Sequence, residues 1–187
     1  MVSEKEIKSL LLQKARVIVA IDGPCASGKT TFAKKLAKRF DSFVFHTDDF
    51  FLRPEQRTAK RLGEPGGNLD RERFLEEVLL PLRSEKKVSF SPYLCSEGAL
   101  GDKITVPEKR LYIIEGSYSH HPFFGEYDLK IFLEVSPDTQ KDRLAKRNPE
   151  KLSRFLSEWI PMEEKYFDYF QIRENADMVI CTDEADR

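Results

Sequence analysis

The sequence is short of the features that mark several large protein classes. Cysteine occurs only three times in 187 residues, at positions 25, 95 and 181. That is neither the number nor the clustering of a disulfide framework or a zinc site, so reduced thiols and a cytoplasmic setting are expected. Neither charge sign is in excess, with 31 Lys and Arg against 32 Asp and Glu. Nothing therefore calls for a nucleic-acid or membrane surface, and a small-molecule partner is the expectation. No apolar run approaches the roughly 20 residues of a membrane span. Residues 1–15 mix Glu and Lys around Leu10-Leu11-Leu12 and read as a short amphipathic helix rather than a signal peptide. Histidine is also scarce. The adjacent His120 and His121 have no Cys or further His at ligand spacing and read as loop residues rather than metal ligands. There is no internal repeat, no low-complexity tract and no Asn-Lys-x-Asp string of the kind that reads guanine.

What is present is an alternation. Apolar runs at Arg16 to Asp22, Ser42 to Asp48, Arg110 to Gly116, Asp128 to Ser136 and Ala176 to Thr182 are mostly continuous rather than alternating, as in strands covered on both faces. Helical patterns lie between them at Thr31 to Phe40, Asp70 to Arg83, Pro137 to Arg147 and Pro149 to Phe170. The aromatics Trp159, Tyr166, Phe167, Tyr169 and Phe170 on the last of these are expected to make core contacts. The expected fold is a single α/β domain over 1–187, with a doubly wound parallel β-sheet flanked by helices and ligands at the carboxyl ends of the strands. Residues 51–69 read as a long loop shaping a pocket on the acceptor side, 87–107 as short strands or a hairpin beside the main sheet, and 137–154 as a lid region.

The sharpest local signal is Gly23-Pro24-Cys25-Ala26-Ser27-Gly28-Lys29-Thr30, directly after the first apolar run and before a helical segment opening at Thr31. Glycines at both ends let the backbone curl so that successive N–H groups face an anion, and the helix N-terminus adds its partial positive charge. The spacing predicts a P-loop for a nucleoside triphosphate, here ATP, over Gly23 to Thr31. Lys29 then reaches the β- and γ-phosphates and Thr30 ligates the accompanying Mg²⁺. Cys25 reads as a small residue tolerated in that loop.

Acidic groups stand at the ends of two further strands. Thr47-Asp48-Asp49-Phe50-Phe51 closes the second, and phosphoryl transfer needs a base for an acceptor hydroxyl and a carboxylate near Mg²⁺. Asp48 is taken as the base and as a metal-side group, with Asp49 the competing choice. The run Leu111-Tyr112-Ile113-Ile114-Glu115-Gly116 ends in a single acid, the pattern of a Walker B segment, so Glu115 is the second expected Mg²⁺ ligand, through water. Arg143 and Arg147, four apart on one helical face, are the candidates for stabilising the transferring phosphoryl group, whereas Lys146 and Lys151 read as solvated.

With these strings and Pro65-Gly66-Gly67-Asn68-Leu69-Asp70 in hand, the chain resembles the uridine kinase family of P-loop kinases, whose relatives include nicotinamide riboside kinase, pantothenate kinase and phosphoribulokinase. The resemblance covers about residues 16 to 182. It implies transfer of the ATP γ-phosphate to a primary hydroxyl, such as the 5′-hydroxyl of uridine or a related nucleoside. It also implies Asp48 as the catalytic aspartate, Asp70 as an acid that helps hold the sugar, Tyr93 as an aromatic near the base, and Arg143 and Arg147 as lid arginines. Phe51, at the acceptor pocket, stands where uridine kinases usually carry a tyrosine, and the Glu97-Gly98 region replaces a base-reading histidine. Nicotinamide riboside, pantothenate or another metabolite remains an alternative acceptor, and a nucleotide-driven switch with no acceptor is the reading of a different class. Relatives of this kind can assemble as oligomers, so a homo-oligomer is allowed, with no interface legible in the sequence.

Overall fold

The structure is a computed structural model that describes residues 2–183. Its centre is a five-stranded, wholly parallel sheet in the order β2-β7-β1-β8-β9, from β1 (Val17–Asp22), β2 (Phe43–His46), β7 (Leu111–Glu115), β8 (Leu129–Glu134) and β9 (Met178–Cys181). Every residue of β1 and β7 is buried, which is why those runs are apolar without alternation. The expected doubly wound α/β fold is the observed one.

Alternate residues of the strands feed two cores. Val17, Val19, Ile21, Ile113 and Ile131 point to the face covered by α1 (Val2–Gln13), through Ile7, and by α2 (Lys29–Phe40), through Ala33 and Leu36. Ile18, Ile114 and Phe132 point to the other face. There they meet Phe74, Val78 and Leu82 of α4, a helix over residues 71–83 with a π-helical turn at Leu75–Leu79. The same core takes Tyr166, Phe167 and Phe170 from α6, which runs over residues 152–170 with a π-helical turn at Phe155–Trp159. Of the aromatics expected in that core, Tyr169 is 69% exposed. It falls on the outer face because the helical period turns it away from Tyr166 and Phe170.

Two segments carry more order than a loop. Residues 51–69 hold a 3₁₀ turn, Pro54–Gln56, and a short helix α3, Ala59–Gly63, and the segment's ends are pinned by an antiparallel bridge between Phe51 and Leu69. Thr58 caps α3 by accepting from the Arg61 amide. Residues 87–107 form nested pairs, β3 (Ser89–Phe90) with β6 (Ile104–Thr105) and β4 (Tyr93–Leu94) with β5 (Ala99–Leu100). After β8, α5 (Pro137–Arg147) starts at Ser136, whose hydroxyl accepts from the Thr139 amide.

Close strand packing sets one sharp backbone requirement beside the carboxyl edge. Gly116, just past β7, has φ +130°, and a Cβ there would lie 2.1 Å from Thr47 Oγ1. Gly116→Ala is expected to lower stability by about 2 kcal/mol or more, through left-handed strain and displacement of Thr47. A denaturant midpoint equal to that of the parent chain would refute this account of the turn.

Candidate active site

The carboxyl ends of β1, β2 and β7 converge, and the register does this directly: Ile21 and His46 both lie opposite Glu115. The loop over residues 23–30 leaves β1 there and runs into α2. Gly23 has φ +141° and lies against the β8 backbone, where a Cβ would stand 2.2 Å from Leu133 O, so only glycine fits.

The carbonyls of this loop are held one after another. Lys29 Nζ donates to Gly23 O at 2.6 Å and Pro24 O at 2.9 Å. Gln140 Nε2 of α5 donates to Cys25 O at 2.9 Å, Arg143 Nη1 to Ala26 O at 3.2 Å, and Thr182 Oγ1 to Ser27 O at 2.9 Å. With its acceptors fastened, the loop can turn amide groups and the start of α2 toward an anion.

Arg143 therefore does not stand over the cleft with Arg147. Its Nη2 also donates to Thr182 O at 2.6 Å, so it braces the loop from outside and ties α5 to the body of the domain. Arg147, one turn on, lies at the surface, where its charge reaches Asp48. The sequence pattern placed the two on one face; the 40° offset of an i,i+4 pair and the packing of α5 on the loop separate them.

Glu115 is 4% exposed and takes a hydrogen bond from Thr30 Oγ1 at 3.1 Å. Its Oε1 also lies 2.5 Å from His46 Nδ1, and that hydrogen bond is the main reason the imidazole pKa is raised. A hydroxyl and a carboxylate oxygen in contact at the foot of a phosphate loop suit a hard cation such as Mg²⁺, which takes one or two protein oxygens and completes its shell with phosphate and water. Among the described residues no group of three or more His, Cys, Asp or Glu is placed to hold a metal ion.

Asp48 and Asp49 sit in a 3₁₀ turn, Thr47–Phe50, after β2. Asp48 keeps contact with solvent at the cleft mouth but is walled by protein on most sides, and this crowding raises its pKa above the ordinary carboxylate value. Lys29 opposes the shift most strongly and Glu115 adds to it, so of the two acids Asp48 is the one on which the lysine of the phosphate loop acts. Asp49, also raised by partial burial, answers first to His46 and then to Asp48 and Arg73. The hairpin of β4 and β5 packs beside the Thr47–Phe50 turn, and the exposed Cys95 thiol is raised by partial burial and then by the charge of Asp48.

The other sequence candidates flank this wall. Tyr93 is buried, and its hydroxyl accepts from Arg57 Nη2 at 3.1 Å. Phe51 is half-buried against the core. Asp70 is 3% exposed, caps α4 through the Arg73 amide at 3.2 Å and accepts from Gln56 Nε2 at 2.9 Å. Its carboxylate is thus engaged in holding the 51–69 segment onto α4.

Sequence reasoning missed Asp22, which is fully buried at the end of β1. Its Oδ1 accepts from the Gly23 amide at 2.7 Å, and its Oδ2 from the His120 amide at 2.9 Å and Tyr166 Oη at 3.0 Å. This carboxylate joins the start of the phosphate loop, the turn after β7 and α6. An acid at the end of an apolar run, directly before the glycine loop, was the available signal.

A profile of the AAA domain family matches residues 19–166 of this sequence. The chain belongs to this AAA domain family (AAA_18). It is also similar to a cytidylate kinase of Mycoplasmopsis agalactiae, 24% identical over 91% of this chain and 87% of that protein. A cytidylate kinase of Solibacter usitatus is 27% identical over 70% of this chain and 66% of that protein. The solved structure of a possible uridine kinase from Bacillus stearothermophilus covers 96% of this chain and 100% of its own, at 18% identity and a TM-score of 0.63. The fold, the family and these kinase relatives make the chain a P-loop kinase, a phosphotransferase.

Removing the Asp22 acceptor is expected to be costly. Asp22→Asn leaves at least one buried donor without a partner and should destabilise by about 2–4 kcal/mol, whereas Tyr166→Phe should cost about 1 kcal/mol. Chemical denaturation of both variants checks this ranking, and equal losses would mean that Asp22 is not the shared anchor.

Proposed function

We propose that the chain transfers the γ-phosphoryl group of MgATP to a hydroxyl of a nucleoside-like acceptor, the 5′-hydroxyl of uridine or a close analogue. The observation that carries this reading is the place of Asp48 in the turn directly after β2, at the sheet edge that the register shares with Glu115 and the phosphate loop, where the charges of Lys29 and Glu115 act on its carboxyl. A hydroxyl must lose a proton as it attacks, and a carboxylate at the transfer point orients it and takes that proton. Lys29 and Arg147 supply positive charge to the phosphates, Thr30 and Glu115 would hold Mg²⁺, and Asp48 rather than Asp49 is the base because the lysine of the loop acts on it. When bound, Mg²⁺ neutralises charge on the β- and γ-phosphate oxygens.

The relatives named cytidylate kinases favour a second reading, in which the acceptor is a nucleoside monophosphate. An acceptor phosphate needs cations free to meet it. On the acceptor side Arg57 binds Leu52 O and Tyr93 Oη, Arg61 binds Glu72 and two backbone carbonyls, Arg71 binds Glu64, and Arg73 binds Ser91 O and Asp49 O. These engagements, and a base that an anionic acceptor does not require, support the hydroxyl.

The two readings separate in a coupled ADP-release assay with MgATP against uridine, cytidine and nicotinamide riboside on one side and UMP and CMP on the other, with a control lacking acceptor. Stimulation by a nucleoside is expected. Stimulation by the monophosphates alone would overturn the hydroxyl reading, and a fast acceptor-independent rate would revive the switch. With the active acceptor, Asp48→Asn is expected to lower kcat on the order of 10²-fold with little change in ATP binding, and Lys29→Ala to abolish turnover. If Asp49→Asn is the more damaging change, the assignment of the base is wrong.

A further inference from the structure

We propose that Glu163, on α6, is a positioning residue that sets the phosphate loop against the acceptor wall through its reach rather than its charge. The proposal rests on reading residues 23–30 as the loop that binds ATP.

Glu163 is 5% exposed, an expensive place for a carboxylate unless donors surround it. It has them. Oε2 accepts from the Cys25 amide at 2.7 Å, and Oε1 accepts from Ser117 Oγ at 2.5 Å. The Cys25 thiol lies beside it, and its pKa is pushed up to about 12 by burial and then by the Glu163 charge. The partners belong to different walls. Cys25 lies in the entry half of the phosphate loop, while Ser117 follows Glu115 and Gly116 at the end of β7. The backbone of Ser117 continues the chain of contacts, because its carbonyl accepts from Thr47 Oγ1 at 2.9 Å, next to Asp48. One side chain therefore spans the donor loop and, through Ser117 and Thr47, the turn that presents the candidate base.

The loop's geometry explains why a carboxylate stands there. The carbonyls of residues 23–27 are held by donors. The amides of Gly23 and Cys25 are held by acceptors, Asp22 and Glu163. Fixing the Cys25 amide turns the plane of the peptide entering the loop's crown, and with it the direction in which the following amides point. Glu163 is also carried on the helix after Arg147, so the basic end of α5 and the loop are referred to one frame.

Reach and charge separate cleanly in two conservative variants. E163Q keeps the length and an acceptor oxygen but loses the charge; E163D keeps the charge but withdraws it by one methylene. MgATP is titrated calorimetrically into the parent chain and both variants, and alkylation of Cys25 by iodoacetamide is followed by mass spectrometry. E163D is expected to weaken MgATP binding about tenfold or more and to speed alkylation of Cys25, the loss of about one charged hydrogen bond. E163Q is expected to stay within about threefold of the parent in MgATP binding, while its Cys25 reacts faster because the charge that holds the thiol pKa up is gone. E163D binding MgATP like the parent, or E163Q losing as much of that binding as E163D, would overturn the proposal. A parent chain that does not bind MgATP is a different failure, that of the phosphate-loop reading, and the rate of Cys25 alkylation in E163D, which keeps the charge, still reports whether reach holds the loop.

Discussion

An anion site made of backbone amides depends on where the carbonyls go. Peptide dipoles come in pairs, and a loop that points N–H groups inward must turn as many acceptors outward, where each needs a donor once water is excluded. Here the acceptors of residues 23–27 are taken by Lys29 from within the loop and by Gln140, Arg143 and Thr182 from α5 and the end of β9. The site is therefore as much a property of α5 and β9 as of the glycine motif. The buried carboxylates Asp22 and Glu163 complete the arrangement from the donor side. Each holds one loop amide and each reaches another wall, so the loop's conformation is fixed before any phosphate arrives, and binding need not supply the cost of ordering it.

The parallel sheet gives the second constraint. Because Ile21 and His46 flank Glu115 in register, the ends of three adjacent strands deliver the phosphate loop, Glu115 and the turn bearing Asp48 to one edge. Gly116 then lets the chain after β7 pass against Thr47 where no side chain would fit. Four acids, Asp22, Asp48, Asp49 and Glu115, gather at this edge, and their repulsion is met by Lys29, by His46 on Glu115, by Arg147 facing Asp48 and by amide donors on Asp22. Burial is what raises the pKa of Asp48, and the nearby Glu115 charge adds to it against the pull of Lys29.

The fold was legible in the sequence because buried parallel strands leave continuous apolar runs, and these mark the five strands of the sheet within a few residues. The glycine loop was legible for a related reason: close backbone approach admits few residue types. What the sequence could not tell was the direction of individual side chains. Arg143 and Arg147 share a helical face, yet one is spent on loop carbonyls and the other is left toward Asp48, a difference made by the packing of α5. Glu163 gave no signal at all, since an acid in a helix of mixed composition reads as solvated until the fold places Cys25 and Ser117 against it. Asp22 carries one, an acid ending an apolar run, but the glycines beside it account for the motif without it.

The acceptor side completes the argument by how its charges are committed. A site that takes a second phosphate keeps arginines available, since desolvating an anion is tolerable only against cations with open donors. In this chain most donors of Arg57, Arg61, Arg71 and Arg73 are turned onto carbonyls, carboxylates and the Tyr93 hydroxyl, with Arg73 stacked 4.2 Å over Phe50 while it holds the Asp49 carbonyl. They act as struts that fix the Asp48 turn and the segment behind it. On the proposed reading, a wall stiffened by arginine beside Asp48 suits a neutral hydroxyl, whose one requirement is to be aligned and relieved of its proton.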